Sequence, residues 1–167
     1  LQGWAGVFVD KFQSYNSGIE VNIAGTLNAL GDGTAVYVNG GITNVDDKAP
    51  VINIQSTAKL TSANGCGMYL AGYANTTIAD SASITGTTGI EIRAGKLTVN
   101  GANNVTVVGN RDQTGDHHYG TIIDGDVDIT CSGDVLFENK GNGDVIGGLK
   151  PSTFKVDAHD VTVKGNS

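Results

Sequence analysis

The stretch "IIDGDVDIT", Ile122 to Thr130, sets carboxylates at Asp124, Asp126 and Asp128, two residues apart. Three acidic groups along one edge repel unless they are separated or neutralised, so calcium, which takes oxygen ligands, is a chemically sensible cofactor there. The spacing does not make an EF-hand loop, because the sixth residue from Asp124 is Ile129 rather than Gly and the twelfth is Val135 rather than Glu. Solvated turn carboxylates are the simpler reading. A second set is aromatic: Phe8 in "GVFVD", Tyr37 in "AVYVN" and Tyr69 in "GMYLA" each lie between two apolar residues, and Glu91 holds the matching place in "GIEIR", with Arg93 two residues on. Rings accept the apolar faces of sugars, and charged groups bond their hydroxyls. Phe8, Tyr37, Tyr69, Glu91 and Arg93 are therefore the candidate carbohydrate-binding residues. "GDHHYG" adds His117 and His118 in what reads as a loop insertion, and His159 reads as a corner residue.

These residues act together only if the chain brings distant segments side by side. In "TTGIEIRAGKLTVNGANNVTVVGN", Ile90 and Ile92 flank Glu91, Leu97 and Val99 flank Thr98, and Val105 and Val107 flank Thr106. That period of two marks half-buried strands, three of them within 24 residues. The triplet recurs along the chain. First strands place apolar positions at Val7, Val36, Met68, Ile90, Thr121 and Val145, second strands at Val21, Ile52, Ile78, Leu97, Val127 and Phe154, and third strands at Leu27, Leu60, Ile84, Val105, Val135 and Val161. All three columns advance by about 27 residues per repeat.

Strands this short satisfy their backbone by stacking on the equivalent strand one coil away, which makes the pairing parallel. The pattern predicts an all-β, single-stranded parallel β-helix of about six coils of three short strands, right-handed by the general crossover preference. An antiparallel sandwich also uses short strands and Gly-rich turns, but gives no reason for a three-strand repeat. Glycines at 95, 101, 109, 125 and 165 are placed at corners. With Val7 and Val9 inward, Phe8, Tyr37, Tyr69, Glu91 and Ile122 stack outward, and Asp10, Asn39, Arg93 and Asp124 form the next outward row. The same geometry makes the rings either a stabilising ladder or a sugar-binding strip. Asn22 and Asn53 share the centres of aligned strands and should form an asparagine ladder.

Composition agrees with a folded chain that turns often and fills its interior with small aliphatic side chains. In 167 residues there are 25 Gly and 2 Pro, with 39% hydrophobic and 6% aromatic residues. A net charge of −7 with no Lys or Arg run argues against a nucleic-acid partner, and no 18-residue apolar run exists to insert in a membrane. Cys66 and Cys131 lack zinc spacing and fall on different faces, so both are expected free. The whole chain, 1–167, reads as one β-helix domain. Neither end shows an obvious polar cap, which suggests a piece of a longer protein, unless Trp4 and its neighbours form a minimal cap.

The stretches "GTAVYVNG", "MYLAGYANTTIADSASITG" and "TTGIEIRAGKLTVNGA" resemble the pectate-lyase-like, right-handed β-helical repeat regions of adhesin-like surface proteins of gut Firmicutes. The resemblance is close over residues 33–102 and generic beyond Asn110. It implies a bacterial protein, secreted or attached to the cell surface, in which this segment is a non-catalytic adhesin or stalk. Its partners would be a host or environmental glycan, a host surface protein, and neighbouring domains of the same chain. Two other readings belong to the same fold: a polysaccharide lyase or hydrolase, and a phage tail-fibre segment. The paired Asp, Gly-His-Gly and Arg-x-Lys elements of galacturonases are absent, and "RAGK" sets Arg93 and Lys96 three apart. Fold alone does not confer activity.

Overall fold

The computed structural model describes residues 5–10, 19–39, 50–72, 75–78, 82–94, 96–101, 104–114 and 118–166. Among these there is no helix, hence none long and apolar enough to cross a membrane. The chain forms strands level by level. The first level holds β1 (Ala5–Asp10), β2 (Glu20–Ile23) and β3 (Thr26–Ala29); the second, β4 (Thr34–Asn39), β5 (Val51–Ile54) and β6 (Lys59–Ser62). The third holds β7 (Cys66–Leu70), β8 (Asn75–Ile78) and β9 (Ser83–Thr85); the fourth, β10 (Thr88–Ile92), β11 (Lys96–Gly101) and β12 (Val105–Gly109). Then come β13 (Thr121–Ile123) with β14 (Asp126–Asn139), and β15 (Ile146–Gly147) with β16 (Phe154–Lys164).

Every strand pairs in parallel with its equivalent one level away, as a β-solenoid requires. One sheet runs β1-β4-β7-β10-β13-β15 and the other joins the second and third faces through β14. The solenoid makes about five turns rather than six coils, because its last level is curtailed and β15 has only two residues. The expectation of three short strands per coil also fails at the last two levels. There the second and third strands fuse into β14 and β16, and the corner is turned by a register shift between Cys131 and Asp134 instead of a break.

Three register assignments differ from the periodic reading. Ile52 stacks on Thr76, not Ile78, and Thr76 stacks on Leu97. Ile84 pairs with Val107 rather than Val105, and Thr121 with Ile146 rather than Val145. Alternation cannot tell positions two residues apart, so corner length decides the first two; opposite Thr121 the shift is a single residue, from Val145 to Ile146. The inward rows are otherwise apolar: Ile52, Ile54, Leu60, Met68, Leu70, Ile78, Ile84 and Ile92 are all buried. Thr76 and Thr121 stand in these rows with buried hydroxyls that have no hydrogen-bond partner. At the last level the inward row opens to solvent: Phe137 is 2% exposed, and Val163, stacked beneath it, 56%.

The corner between the third and first faces is tight. Gly67 and Gly89 look inward there, since an added Cβ would lie 2.7 Å from Ile84 Cγ2 and 2.6 Å from Val107 Cγ1 respectively. Two successive residues, Gly67 and Met68, thus face the core, and strict alternation breaks at the start of the first strand. Among the described residues positive φ occurs at Gly25 and Gly31, not at the glycines placed on corners by the repeat; Gly95 lies outside the described residues. Gly109 is needed for approach, since a Cβ there would meet Gly120 Cα at 2.4 Å.

Asn139, fully buried, ties two loops to the end of β14. Its Oδ1 accepts from Arg111 N (2.8 Å), and its Nδ2 donates to the carbonyls of Arg111, Gly143 and Asp144 at 2.9–3.1 Å. Asn139→Leu keeps the volume but strips these partners, so urea unfolding should show a loss of about 1–3 kcal/mol. An unchanged midpoint would mean that the loops find other partners.

Candidate functional site

The outward row of the first sheet assembles in the predicted order. Register places Phe8 against Tyr37, Tyr37 against Tyr69, Tyr69 against Glu91, and Glu91 against Ile122. Ring centroids lie 5.2 Å apart for Phe8 and Tyr37 and 4.9 Å for Tyr37 and Tyr69, with planes tilted by 52° and 59°. The strip is therefore stepped, not flat. Parallel stacking fixes the spacing, and the tilt lets ring edges meet faces as their quadrupoles favour. Phe8 is the most open ring at 56% exposure, while Tyr37 and Tyr69 are half-buried. Ile122 is buried although its place in the row is outward, and Tyr119 covers the next position, where a Cβ on Gly147 would fall 2.2 Å from the ring.

Below the rings the row turns polar. Glu91 Oε1 accepts from Arg93 Nε at 2.6 Å, and Arg93 Nη1 donates to Asp124 Oδ2 at 2.8 Å. Asp124 has no exposed side-chain surface, and its Oδ1 accepts from the amides of Leu149 (2.6 Å) and Lys150 (3.2 Å). Burial alone would raise the Asp124 carboxyl, but the Leu149 amide and Arg93 outweigh it and hold it below the usual carboxylate range. For Arg93, burial opposes the charge, and Glu91 and Asp124 more than restore it. Tyr69 is raised by burial and by Glu91. Phe8, Tyr37, Tyr69, Glu91 and Arg93 thus form one continuous patch, and Asp124, which the sequence placed both in the Arg93 row and among the three aspartates, belongs to it.

The structure does not bring Asp124, Asp126 and Asp128 together as a calcium cage. Asp124 turns to Arg93, exposed Asp126 accepts from Thr153 N at 3.0 Å, and Asp128 pairs with Lys155 at 3.5 Å. The cause is geometric: Asp126 and Asp128 lie along β14, whereas Asp124 precedes it at the corner and is drawn to the first face. Among the described residues, three potential metal donors converge only at Asp134, His159 and Asp160, all exposed. His159 Nδ1 lies 3.1 Å from Asp134 Oδ1 and 3.4 Å from Asp160 Oδ2, and the hydrogen bond to Asp134 raises the imidazole's pKa. His159 sits within β16 at the register shift between Ala158 and Asp160, the corner expected for it, although no break in the strand marks the place.

Other expectations are met in part. Asn53 Nδ2 donates to Asn22 Oδ1 at 2.9 Å, the predicted ladder, and both amides also reach Glu20. Cys66 and Cys131 are both buried and neither is in a disulfide. The side chain of Asp10, and all of His117, lie outside the described residues, and His118 Nε2 meets Asp144 at 3.1 Å. Sequence reasoning missed Cys66 as a neighbour of the patch: its Sγ donates to Glu91 Oε2 at 3.5 Å, because the broken alternation at Gly67 turns it outward. It also missed Arg111, whose Nε donates to Thr88 Oγ1 at 2.9 Å. An arginine in a loop has no periodic signal to find it by.

Comparison with models of protein families, with curated proteins and with solved structures finds no match.

Two outcomes follow from this network. Since Asp124 is depressed in the folded state, its contribution is complete above the unfolded carboxylate pKa of about 4 and is lost as pH falls through the lower folded value. Asp124→Asn should therefore be less stable than the parent at pH 7, with a smaller loss between pH 5 and pH 2 in urea titrations; parallel profiles would refute the coupling. Burial and Glu91 push the Cys66 thiol up to about 12. In a Cys131→Ser background, native protein should then resist thiol reagents at pH 8 and react fully in urea. Rapid native labelling would contradict that environment.

Proposed function

We propose that this chain is a non-catalytic segment of a bacterial surface or secreted protein, a stiff β-solenoid that serves as adhesin or stalk and holds carbohydrate on its outward aromatic row. The observation that carries the reading is the run of Phe8, Tyr37 and Tyr69 on three consecutive levels, ending on the Glu91–Arg93 pair. Because the rings step by 52° and 59°, a sugar would rest on one ring at a time, with open Phe8 the natural platform. Polar groups at the lower end would bond its hydroxyls. The resemblance to adhesin-like repeats supports an extracellular setting, and a stack of about five turns, roughly 24 Å from first strand to last, supports a spacer role.

The chemistry favours binding over catalysis. A glycosidase acid needs a carboxyl raised toward neutral pH, whereas Asp124 is held low and Glu91 is already bonded to Arg93. On a glycan array the folded protein should give a signal that falls by at least about tenfold in Tyr37→Ala/Tyr69→Ala. A blank array would overturn the carbohydrate reading and leave the rings as a stabilising ladder in a spacer. Release of products from the arrayed polymers would instead favour the lyase or hydrolase reading.

A further inference from the structure

Resting on the carbohydrate face just proposed, we infer that the site continues around the corner from Arg93 into a depression that selects a neutral, hydroxyl-rich polysaccharide over a uronate polymer. An open depression of about 520 Å³ adjoins the aromatic row, lined by Arg93, Ala94, Asp124, Gly125, Asp126, Lys150 and Pro151. Arg93 belongs to both surfaces, since Glu91, its partner, stacks directly on Tyr69. The size suits one or two sugar units.

The wall of this depression is built in advance of any ligand. Asp124 holds the Leu149 and Lys150 amides, Ser152 Oγ donates to Ile123 O at 3.1 Å, and Thr153 N donates to Asp126 Oδ1 at 3.0 Å. Segment 149–153 is thereby fixed against the strand ends at four points. Rigid walls reduce the ordering cost of binding.

Charge then sets the class of ligand. The lining sets Arg93 and Lys150 against Asp124 and Asp126, and Glu91, bonded to Arg93 beside the depression, adds a third carboxylate to the surroundings. The surroundings carry net negative charge within a chain of net charge −7. A uronate polymer, with a carboxylate on each sugar, meets repulsion there. Neutral sugar hydroxyls can donate to the exposed Asp126 carboxylate and accept from the exposed Lys150 ammonium, and these charge-assisted bonds are the strong ones.

Affinity electrophoresis of the whole chain would test this, in gels cast with galactan, xylan, mannan or β-glucan and, separately, with polygalacturonate, at physiological salt. Retardation by at least one neutral polymer and none by polygalacturonate is expected. Asp126→Asn/Lys150→Met, checked for folding by circular dichroism, should weaken the neutral interaction by about tenfold. Retardation by polygalacturonate would overturn the neutral assignment, and unchanged binding in the double variant would remove the corner from the site. In either case a loss in Tyr37→Ala/Tyr69→Ala would keep the aromatic face. If no polymer retards the folded protein, the carbohydrate reading falls and this inference with it.

Discussion

Everything in this structure depends on one constraint: each short strand can satisfy its backbone only by lying parallel to its counterpart one turn away. Once that pairing is set, residues at equivalent positions are forced into vertical rows about 4.8 Å apart. Inward rows become continuous aliphatic ladders, from Val36 through Met68 to Ile90. Outward rows put like on like as well, which is how three separate rings become one stack and two asparagines become a hydrogen-bonded pair. Function and stability draw on the same repetition.

Corners are where the ladder stops supplying partners, and side chains take over there. Asn139 satisfies four backbone groups of two loops, and Asp124 satisfies two amides while it anchors Arg93. Both are buried polar groups made tolerable by full pairing. Thr76 and Thr121 show the opposite case: each occupies an apolar row without a partner for its hydroxyl. A chain of repeats tolerates such local mismatches because the neighbouring levels keep the register.

The outer face divides into two chemistries that share a boundary at Tyr69 and Glu91. Above it lie tilted rings, apolar and increasingly exposed toward Phe8; below it lies a chain of charges from Glu91 through Arg93 to Asp124, with the neutral Cys66 thiol bonded to Glu91. Each member of that chain already has a partner, so the network stiffens the face and leaves the rim groups Asp126 and Lys150 to meet solvent.

Much of this was legible in the residues alone. Alternation and the 27-residue repeat are local properties, so they revealed the all-β class, the three columns, the outward order Phe8, Tyr37, Tyr69, Glu91, and the pairing of Asn22 with Asn53. The corners were not legible, because periodicity is blind to how many residues a bend consumes. Hence Thr76 takes the place expected for Ile78 and Val107 that of Val105, while β14 and β16 run unbroken through a bend marked for a loop. The aspartates illustrate the limit for sites: three evenly spaced carboxylates look like one ligand set, but Asp124 meets Arg93, its expected row neighbour 31 positions away, and Asp128 meets Lys155, 27 positions away. The sequence by itself determined which residues repeat and, away from the corners, which side of a strand they take, since both follow from covalent geometry. Only the tertiary structure decided which charges meet, since that depends on how each corner delivers its side chains to the next turn.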